Sequence, residues 1–296
     1  MLIRHKNDPG IASHHAATRV PGDTEKSVHT GQPVLALQVG TDVDPGLRRK
    51  HDPNEDTLFV THGTIPSASS VPTQFALFAV ADGMGGHAHG QEASRLAVDA
   101  LARSICGYLS SQQRKPDAFL PGLIEGVRSA NRAVYQRNQG QRDNMGTTMT
   151  AALVIDTTAY VAHVGDSRCY LYRPSAGLSQ ITHDHSIVAA LVDVNVIQPD
   201  DIYTHPMRNL IYRSLGEKAT MEVDGSTVPL AAGDILLLCS DGLWEMVRNP
   251  QIAAILSEPA SDPSRTAHAL IEAALAGGGE DNVSAIVVKV NVASEL

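Results

Sequence analysis

The chain has 296 residues and a formal net charge of −9. This charge argues against a nucleic-acid-binding surface, because contacts to phosphate backbones need clustered lysine and arginine. The hydrophobic share of 43% and the charged share of 19% are typical of a soluble globular protein. No run approaches the roughly 20 apolar residues of a membrane-spanning helix. The charged N-terminus lacks the apolar segment of a signal peptide.

Residues 1–33 form the first distinct segment of the chain. They are rich in proline, glycine and histidine and contain few large apolar residues. This composition predicts a flexible N-terminal extension. No linker interrupts residues 34–296, so we expect a single folded domain there.

Apolar runs and helical periodicity predict blocks of strands and helices along this domain. The predicted strands are Val34–Val39, Thr57–Thr61, Gln74–Ala81, Thr148–Ile155, Ala159–Val164, Cys169–Tyr172, Ile235–Cys239 and Val283–Val290. The predicted helices are Gln91–Ser110, Ala118–Asn138, Pro250–Leu256 and Pro263–Ala276, and a helical, irregular insert occupies residues 186–209. Two strand-rich blocks beside pairs of helices favour a layered α+β fold.

Acidic residues recur at the ends of the predicted strands. Asp82 and Asp241 each follow an apolar strand and precede a glycine, and Asp166 lies just beyond a third strand. Asp281 precedes the last strand, and the pair Glu55-Asp56 precedes residues 57–61. Each of these residues could instead be an ordinary turn or helix-capping residue.

Carboxylates gathered at one place would repel each other unless cations were bound between them. Oxygen ligands suit Mg²⁺, Mn²⁺ or Ca²⁺, whereas Zn²⁺ prefers histidine or cysteine. The glycine after Asp82 lets the backbone approach closely, so its carbonyl is a further candidate ligand. The residues alone therefore predict a candidate acidic metal centre, provided that the segments converge.

A series of short motifs follows in order from about Val39 to Val290. The motifs are Gly46–Arg49, Asn54–Asp56, Val80–His87, Met145–Thr148, Val164–Arg168, Thr182–Ser186, Leu215-Gly216, Leu238–Trp244 and Asp281–Ser284. In this order they resemble the metal-dependent protein phosphatases of the 2C type, most closely the compact bacterial members. The resemblance implies a four-layer α/β/β/α sandwich, in which two packed antiparallel sheets are flanked by helix pairs and the metals lie in a cleft at one end.

The resemblance also implies roles for individual residues. Asp82 corresponds to the carboxylate that bridges two metal ions, and Asp82, Asp241 and Asp281 form the catalytic centre. Asp56, the carbonyl of Gly83 and, as a further ligand, Glu55 would hold one ion, Asp241 and Asp281 the other, and Asp166 with Asp241 a third. The implied cofactors are therefore two or three Mg²⁺ or Mn²⁺ ions.

Two further positions depart from the usual pattern of the family. Arg49 corresponds to the arginine that binds the substrate phosphate, a task suited to its planar fork of donors. Four residues rather than two separate it from Asn54, which leaves Arg48 as the alternative. Met84 stands where animal-type members have a general-acid histidine, so we predict that His87 takes this role.

The implied activity is hydrolysis of phosphoserine and phosphothreonine in proteins by a metal-bridging water, without a phosphoenzyme. The expected partners are phosphoproteins made by Ser/Thr kinases, with no nucleic acid or membrane, and the expected state is a monomer. Three cysteines without a C-x-x-C pair favour a reducing, cytoplasmic compartment. The alternatives are an inactive regulatory or binding member of the same fold and a small-molecule phosphohydrolase; the complete set of aspartates disfavours the first, and the lack of a nucleotide-binding glycine loop disfavours the second.

Overall fold

The computed structural model describes residues 35–65, 73–85, 88–111, 118–140, 144–258 and 262–292. The predicted extension, residues 1–33, and the predicted general acid His87 lie outside the described residues. Within the described part of the chain, no helix is both long enough and apolar enough to cross a membrane.

The described strands form two antiparallel sheets. In chain order they are β1 (Leu35–Asp44), β2 (Asp56–Ile65), β3 (Thr73–Met84), β4 (Gly146–Thr147), β5 (Met149–Ile155), β6 (Thr158–Val164), β7 (Arg168–Arg173), β8 (Gly177–Gln180), β9 (Asp224–Pro229), β10 (Ile235–Cys239) and β11 (Val283–Val292). The first sheet has the order β1-β11-β10-β7-β8. The second has the order β2-β3-β5-β6-β9, with β4 paired to β3.

The helices lie mainly on the two outer faces of this sandwich. They are α1 (Ala88–Ser110), α2 (Phe119–Asn138), α3 (Ile187–Asp193), α4 (Asp241–Trp244), α5 (Asn249–Leu256) and α6 (Pro263–Ala276), together with a short 3-10 helix, Pro199–Tyr203. Leu101 of α1 and Leu123 of α2 share a core with the second sheet. Ile252 of α5 and Leu270 of α6 share a core with the first sheet. This arrangement confirms the predicted α+β sandwich.

The central strand β3 shows why the layers form. Its side chains alternate between two faces, as the pleat of a strand requires. Leu77 and Ala79 belong to the core beneath α1 and α2, whereas Phe78 and Val80 belong to the core between the sheets. Because both faces are covered, the strand is an almost unbroken apolar run.

Differences from the predicted elements concentrate at sheet edges and element ends. The edge strands β8 and β9 were not predicted, because their mostly exposed, polar residues give no apolar run. The first strand was predicted to end at Val39, but residues 40–44 extend β1 by pairing with β11. Helix α1 begins at Ala88 rather than at Gln91. In each case backbone hydrogen bonding holds residues in an element that the pattern of their side chains does not indicate.

Candidate metal centre

The pairing of β2 with β3 places two of the predicted ligands side by side. Asp56 is the direct partner of Asp82 across the ladder. Burial raises the pKa of Asp82 well above its usual range, and the negative charges of Asp56, Asp166 and Asp281 raise it further. These four carboxylates, carried by segments far apart in the chain, are therefore close enough to repel one another.

Asp56 is fixed by two serines of the opposite sheet. Its Oδ2 accepts hydrogen bonds from Ser240 Oγ at 2.7 Å and Ser284 Oγ at 2.6 Å. Its Oδ1 is buried and has no partner among the described residues. Burial raises the pKa of Asp56 to about 6, although the two serine hydrogen bonds act in the opposite direction. One oxygen is thus held in place, and the other is left available.

Asp241 is the first residue of the four-residue helix α4, which directly follows β10 and Ser240. Its Oδ1 is also buried without a partner in the described part of the chain. Burial raises the pKa of Asp241 well above its usual range, and the negative charges of Asp82, Asp166 and Asp281 raise it further. A short rigid link between strand and helix therefore holds this carboxylate among three others.

Asp166 lies just after β6, and its negative charge raises the pKa of both Asp82 and Asp241. Its backbone carbonyl accepts a hydrogen bond of 2.9 Å from Trp244 Nε1, which ties this turn to α4. Burial raises the pKa of Asp166 to about 7, and the charges of Asp184 and Glu245 add to the effect. The geometry is compatible with the predicted pairing of Asp166 and Asp241 around one ion.

Arg49 brings a positive charge into contact with two of the predicted ligands. Its guanidinium contacts Asp281 through Nη1 and Glu55 through Nη2. Arg48 instead points to Glu280, at 3.1 Å, and its side chain is 70% exposed. Of the two candidate arginines, Arg49 is therefore the one that faces the carboxylates.

Two glycines bring the Gly83 carbonyl close to the buried carboxylate of Glu55. A Cβ on Gly83 would lie 2.0 Å from the carbonyl oxygen of Gly90. A Cβ on Gly90 would lie 2.5 Å from Glu55 Oε1 and 2.7 Å from the Gly83 carbonyl oxygen. Both approaches are closer than real Cβ contacts, so only glycine fits at either position. The role of Gly90 was not predicted, because it depends on tertiary contact.

The donor set fits a hard divalent cation. Glu55 Oε1, Asp56 Oδ1 and Asp241 Oδ1 are all buried and lack partners among the described residues. Leaving such oxygens unpaired costs free energy that a bound cation would offset, and oxygen-only ligands suit Mg²⁺ or Mn²⁺. In the described ranges no three Asp, Glu, His or Cys side chains already form a complete set for one ion, and Arg49 contacts two of the carboxylates.

Other supporting residues also escaped the sequence analysis. Asn282 Oδ1 accepts a hydrogen bond from the backbone of Glu55 at 2.8 Å, across 227 residues of sequence. Thr148 Oγ1 accepts one from the backbone of Asp82 at 2.9 Å. Both residues stand in motifs quoted above, but the motifs do not show which backbone groups they would meet.

The family of the chain follows from comparison with known proteins. Residues 46–276 match the family model described as Protein phosphatase 2C. The serine/threonine protein phosphatase PstP of Mycobacterium tuberculosis (strain ATCC 25618 / H37Rv) is 41% identical over 260 residues, which are 86% of this chain and 45% of that protein. The chain thus spans about half the length of this mycobacterial relative.

Two further matches cover nearly the whole of the chains compared. The serine/threonine phosphatase stp of Listeria welshimeri is 33% identical over 254 residues, which are 84% of this chain and 94% of that protein. A solved structure of the PstP catalytic domain in complex with two manganese ions has a TM-score of 0.71 and 36% identity, covering 87% of this chain and 99% of that one. The predicted resemblance is confirmed: this chain belongs to the protein phosphatase 2C family.

Proposed function

We propose that this chain is a metal-dependent phosphatase that removes phosphate from phosphoserine and phosphothreonine residues of proteins. The observation that carries the proposal is the convergence of four aspartates with two buried, unpaired carboxylate oxygens, Asp56 Oδ1 and Asp241 Oδ1, in the described part of the chain. The relatives named above are serine/threonine phosphatases, which supports the same substrate class.

Two Mg²⁺ or Mn²⁺ ions, or three, are the proposed cofactors. Asp82 would contribute to the binding of two ions. Asp56, Glu55 and the Gly83 carbonyl would hold one of them, and Asp241 and Asp281 the other. Asp166 would help to hold a third ion. When bound, such ions supply a water of lowered pKa as nucleophile and neutralise charge on the phosphoryl oxygens. A relative has been solved with two manganese ions, which supports this choice.

The chain's own side chains orient these groups and the substrate. Ser240 and Ser284 keep the Asp56 carboxylate in one orientation. Arg49 already binds carboxylate oxygens with both of its terminal nitrogens, and the same fork suits the oxygens of a phosphoryl group. His87 as the general acid remains a prediction.

A covalent mechanism through Cys169 or Cys239 is disfavoured by burial. Burial raises the pKa of the Cys169 thiol to about 12 and raises that of Cys239 as well. Buried thiols of this kind carry almost no reactive thiolate at neutral pH. Neither thiol is thus a suitable nucleophile, and the proposed route is direct attack by water.

The setting that we propose is a cytoplasmic monomer that acts in signalling, as the counterpart of Ser/Thr kinases, without nucleic acid or membrane partners. The cysteines are free thiols, which fits a reducing compartment. We further propose that residues 34–296 are the catalytic domain, with residues 1–33 as a flexible extension.

Turnover of a phosphothreonine peptide with and without Mn²⁺ tests the proposal. We expect hydrolysis that requires the metal and that falls about a hundredfold or more in Asp241→Asn. Calorimetric titration of both proteins with Mn²⁺ should show weaker binding by the variant. Metal-independent hydrolysis, or unchanged turnover in the variant, would reject the mechanism.

A parallel assay with a nucleotide separates the alternatives. Preference for the nucleotide would favour the small-molecule phosphohydrolase. Manganese binding without turnover of either substrate would favour an inactive regulatory member of the fold.

A further inference from the structure

Asp82 lies at a gap between two ladders of the second sheet. Strand β3 pairs with β5 as far as Val80, which faces Thr150, and with β4 from Gly83, which faces Thr147. On this side of β3, the residues between the two ladders need other hydrogen-bond partners, because a buried backbone group without one costs free energy. The backbone of Asp82 therefore depends on contacts outside these ladders.

Thr148 supplies most of these contacts. Its Oγ1 accepts a hydrogen bond of 2.9 Å from the backbone N–H of Asp82, and its own backbone N–H donates to the Asp82 carbonyl at 2.8 Å. Thr147 Oγ1 donates to the same carbonyl, also at 2.8 Å. Thr148 is only 1% exposed, so water does not compete for these bonds. A side-chain hydroxyl thus takes the place of a ladder contact at a predicted metal ligand.

The same side chain also contacts the turn that carries Asp166. A hydrogen bond of 2.7 Å joins Thr148 Oγ1 to Ser167 Oγ, and Ser167 directly follows Asp166. A Cβ on Gly165, where φ is +109°, would lie 2.6 Å from Thr148 Cγ2, so the methyl group of Thr148 packs closely against the residue before Asp166. Both branches of the Thr148 side chain therefore meet this turn.

The two carboxylates that Thr148 connects repel each other. The negative charge of Asp166 is one of the causes that raise the pKa of Asp82, as expected of carboxylates that lie close together. A metal site gains affinity when the residues behind its ligands fix them before the ion arrives. A buried hydroxyl that is bonded to both segments is suited to this task.

We propose that Thr148 is a positioning residue for the metal centre: its hydroxyl fixes the backbone of Asp82 and, through Ser167, the turn of Asp166, so that both carboxylates are held in place for the ions. The inference rests on the proposed function, because it assumes that these carboxylates bind metal. It adds that the two ligand-bearing segments are coupled through one pair of hydroxyl groups.

Titration of the full chain with Mn²⁺, followed by calorimetry, tests this role. Thr148→Val keeps the shape of the side chain but removes the hydroxyl, so the apparent Kd for Mn²⁺ should rise about tenfold, an effect typical of residues behind metal ligands. Thr148→Ser keeps the hydroxyl and should stay within about twofold of the wild-type Kd. Ser167→Ala, which spares the hydrogen bond to Asp82, should raise the Kd about threefold.

The double variant Thr148→Val/Ser167→Ala tests whether the two hydroxyls act as one connection. If they do, its Kd should equal that of Thr148→Val alone, because the bond to Ser167 is already lost. Independent contributions would instead multiply to a rise of about thirtyfold.

Thr182 provides a matched control for the loss of a buried hydroxyl. Its Oγ1 accepts a hydrogen bond of 3.0 Å from the backbone N–H of Cys169 on β7, so it makes the same kind of contact with a different strand. Thr182→Val and Thr148→Val should both lower the Tm of the metal-free protein by about 2–4 °C. Only Thr148→Val should weaken Mn²⁺ binding.

Four results would overturn the inference: an unchanged Kd in Thr148→Val, an equal rise in Thr148→Ser, an equal rise in Thr182→Val, or a multiplied rise in the double variant. Should Thr148→Val not fold, an unchanged Kd in Ser167→Ala would overturn it. Failure of the proposed function is distinguishable, because it would appear in the wild-type protein as a lack of phosphothreonine hydrolysis, which the comparison of binding does not use. A wild-type protein that binds no Mn²⁺ would reject both.

Discussion

Two groups of buried acidic residues in this domain differ in whether the protein supplies hydrogen-bond partners for all of their carboxylate oxygens. Asp184 is matched by Arg168, which donates three hydrogen bonds of 2.6 to 3.0 Å, and by Gln180 at 2.9 Å. Asp56 and Asp241 each keep a buried oxygen with no partner among the described residues. A carboxylate that only supports the fold is neutralised by the protein itself, whereas the carboxylates of the candidate metal centre are left for a cation.

The largest expected effect comes from breaking the matched pair. Arg168→Met should lower the free energy of unfolding by about 3–5 kcal/mol, because Asp184 would stay buried and uncompensated. Urea denaturation measures this change. The double variant Arg168→Met/Asp184→Leu should recover most of the loss, and a single variant as stable as the wild type would contradict the assignment.

Metal binding should stabilise the folded protein through the carboxylates that lack a protein partner, such as Asp241. Mn²⁺ at a hundred times its Kd should raise the free energy of unfolding by about 2.7 kcal/mol, as followed by thermal denaturation. Asp241→Asn should show a smaller gain at the same concentration. Asp234, which is buried and bound by Arg173 at 2.6 and 2.9 Å, provides the control, since Asp234→Asn should retain the full gain. Equal gains in all three proteins would place the ion elsewhere.

The smallest expected effect is a dependence of stability on pH. The pKa of Asp56 is raised to about 6 and that of Asp166 to about 7, so the folded state binds protons before the unfolded state does. The two aspartates alone would stabilise the metal-free protein by about 2–3 kcal/mol as the pH falls from 7.5 to 5.5. His163 acts in the opposite direction, because burial lowers its pKa to about 4, so the expected net increase is about 1–2 kcal/mol. Chemical denaturation at several pH values checks the sign, and a loss of stability on acidification across this range would refute it.

The elements that could be predicted are those whose buried side chains give apolar residues at the regular spacing of a strand or helix. Strand Ile235–Cys239 and helix Pro263–Ala276 were predicted with the bounds that the structure shows. Both consist largely of apolar residues at the spacing of their element. Strands β8 and β9 lack such a pattern, since backbone pairing with β7 and β6 holds them in place rather than the burial of apolar side chains.

The site divides along a similar line. The aspartates could be predicted because each ends or precedes an apolar strand, and the resemblance to a family put them in one place. The roles of Gly90 and Ser284 were missed because they depend on contacts with residues that are distant in the chain. Ser284, for example, meets Asp56 across 228 positions, and the motif that contains it does not show which residue it contacts.

The ladder between β2 and β3 has a consequence for how the chain tolerates change. Its ten successive pairs run from Asp56 opposite Asp82 to Ile65 opposite Thr73. Deleting one residue within either strand would turn every following side chain to the other face of the sheet, so that one of the two aspartates would face away from its partner while the backbone ladder stayed intact. The same deletion in β3 would also exchange the side chains that the strand buries in its two cores, which makes strand length in this hairpin as strictly constrained as the identity of the acids at its end.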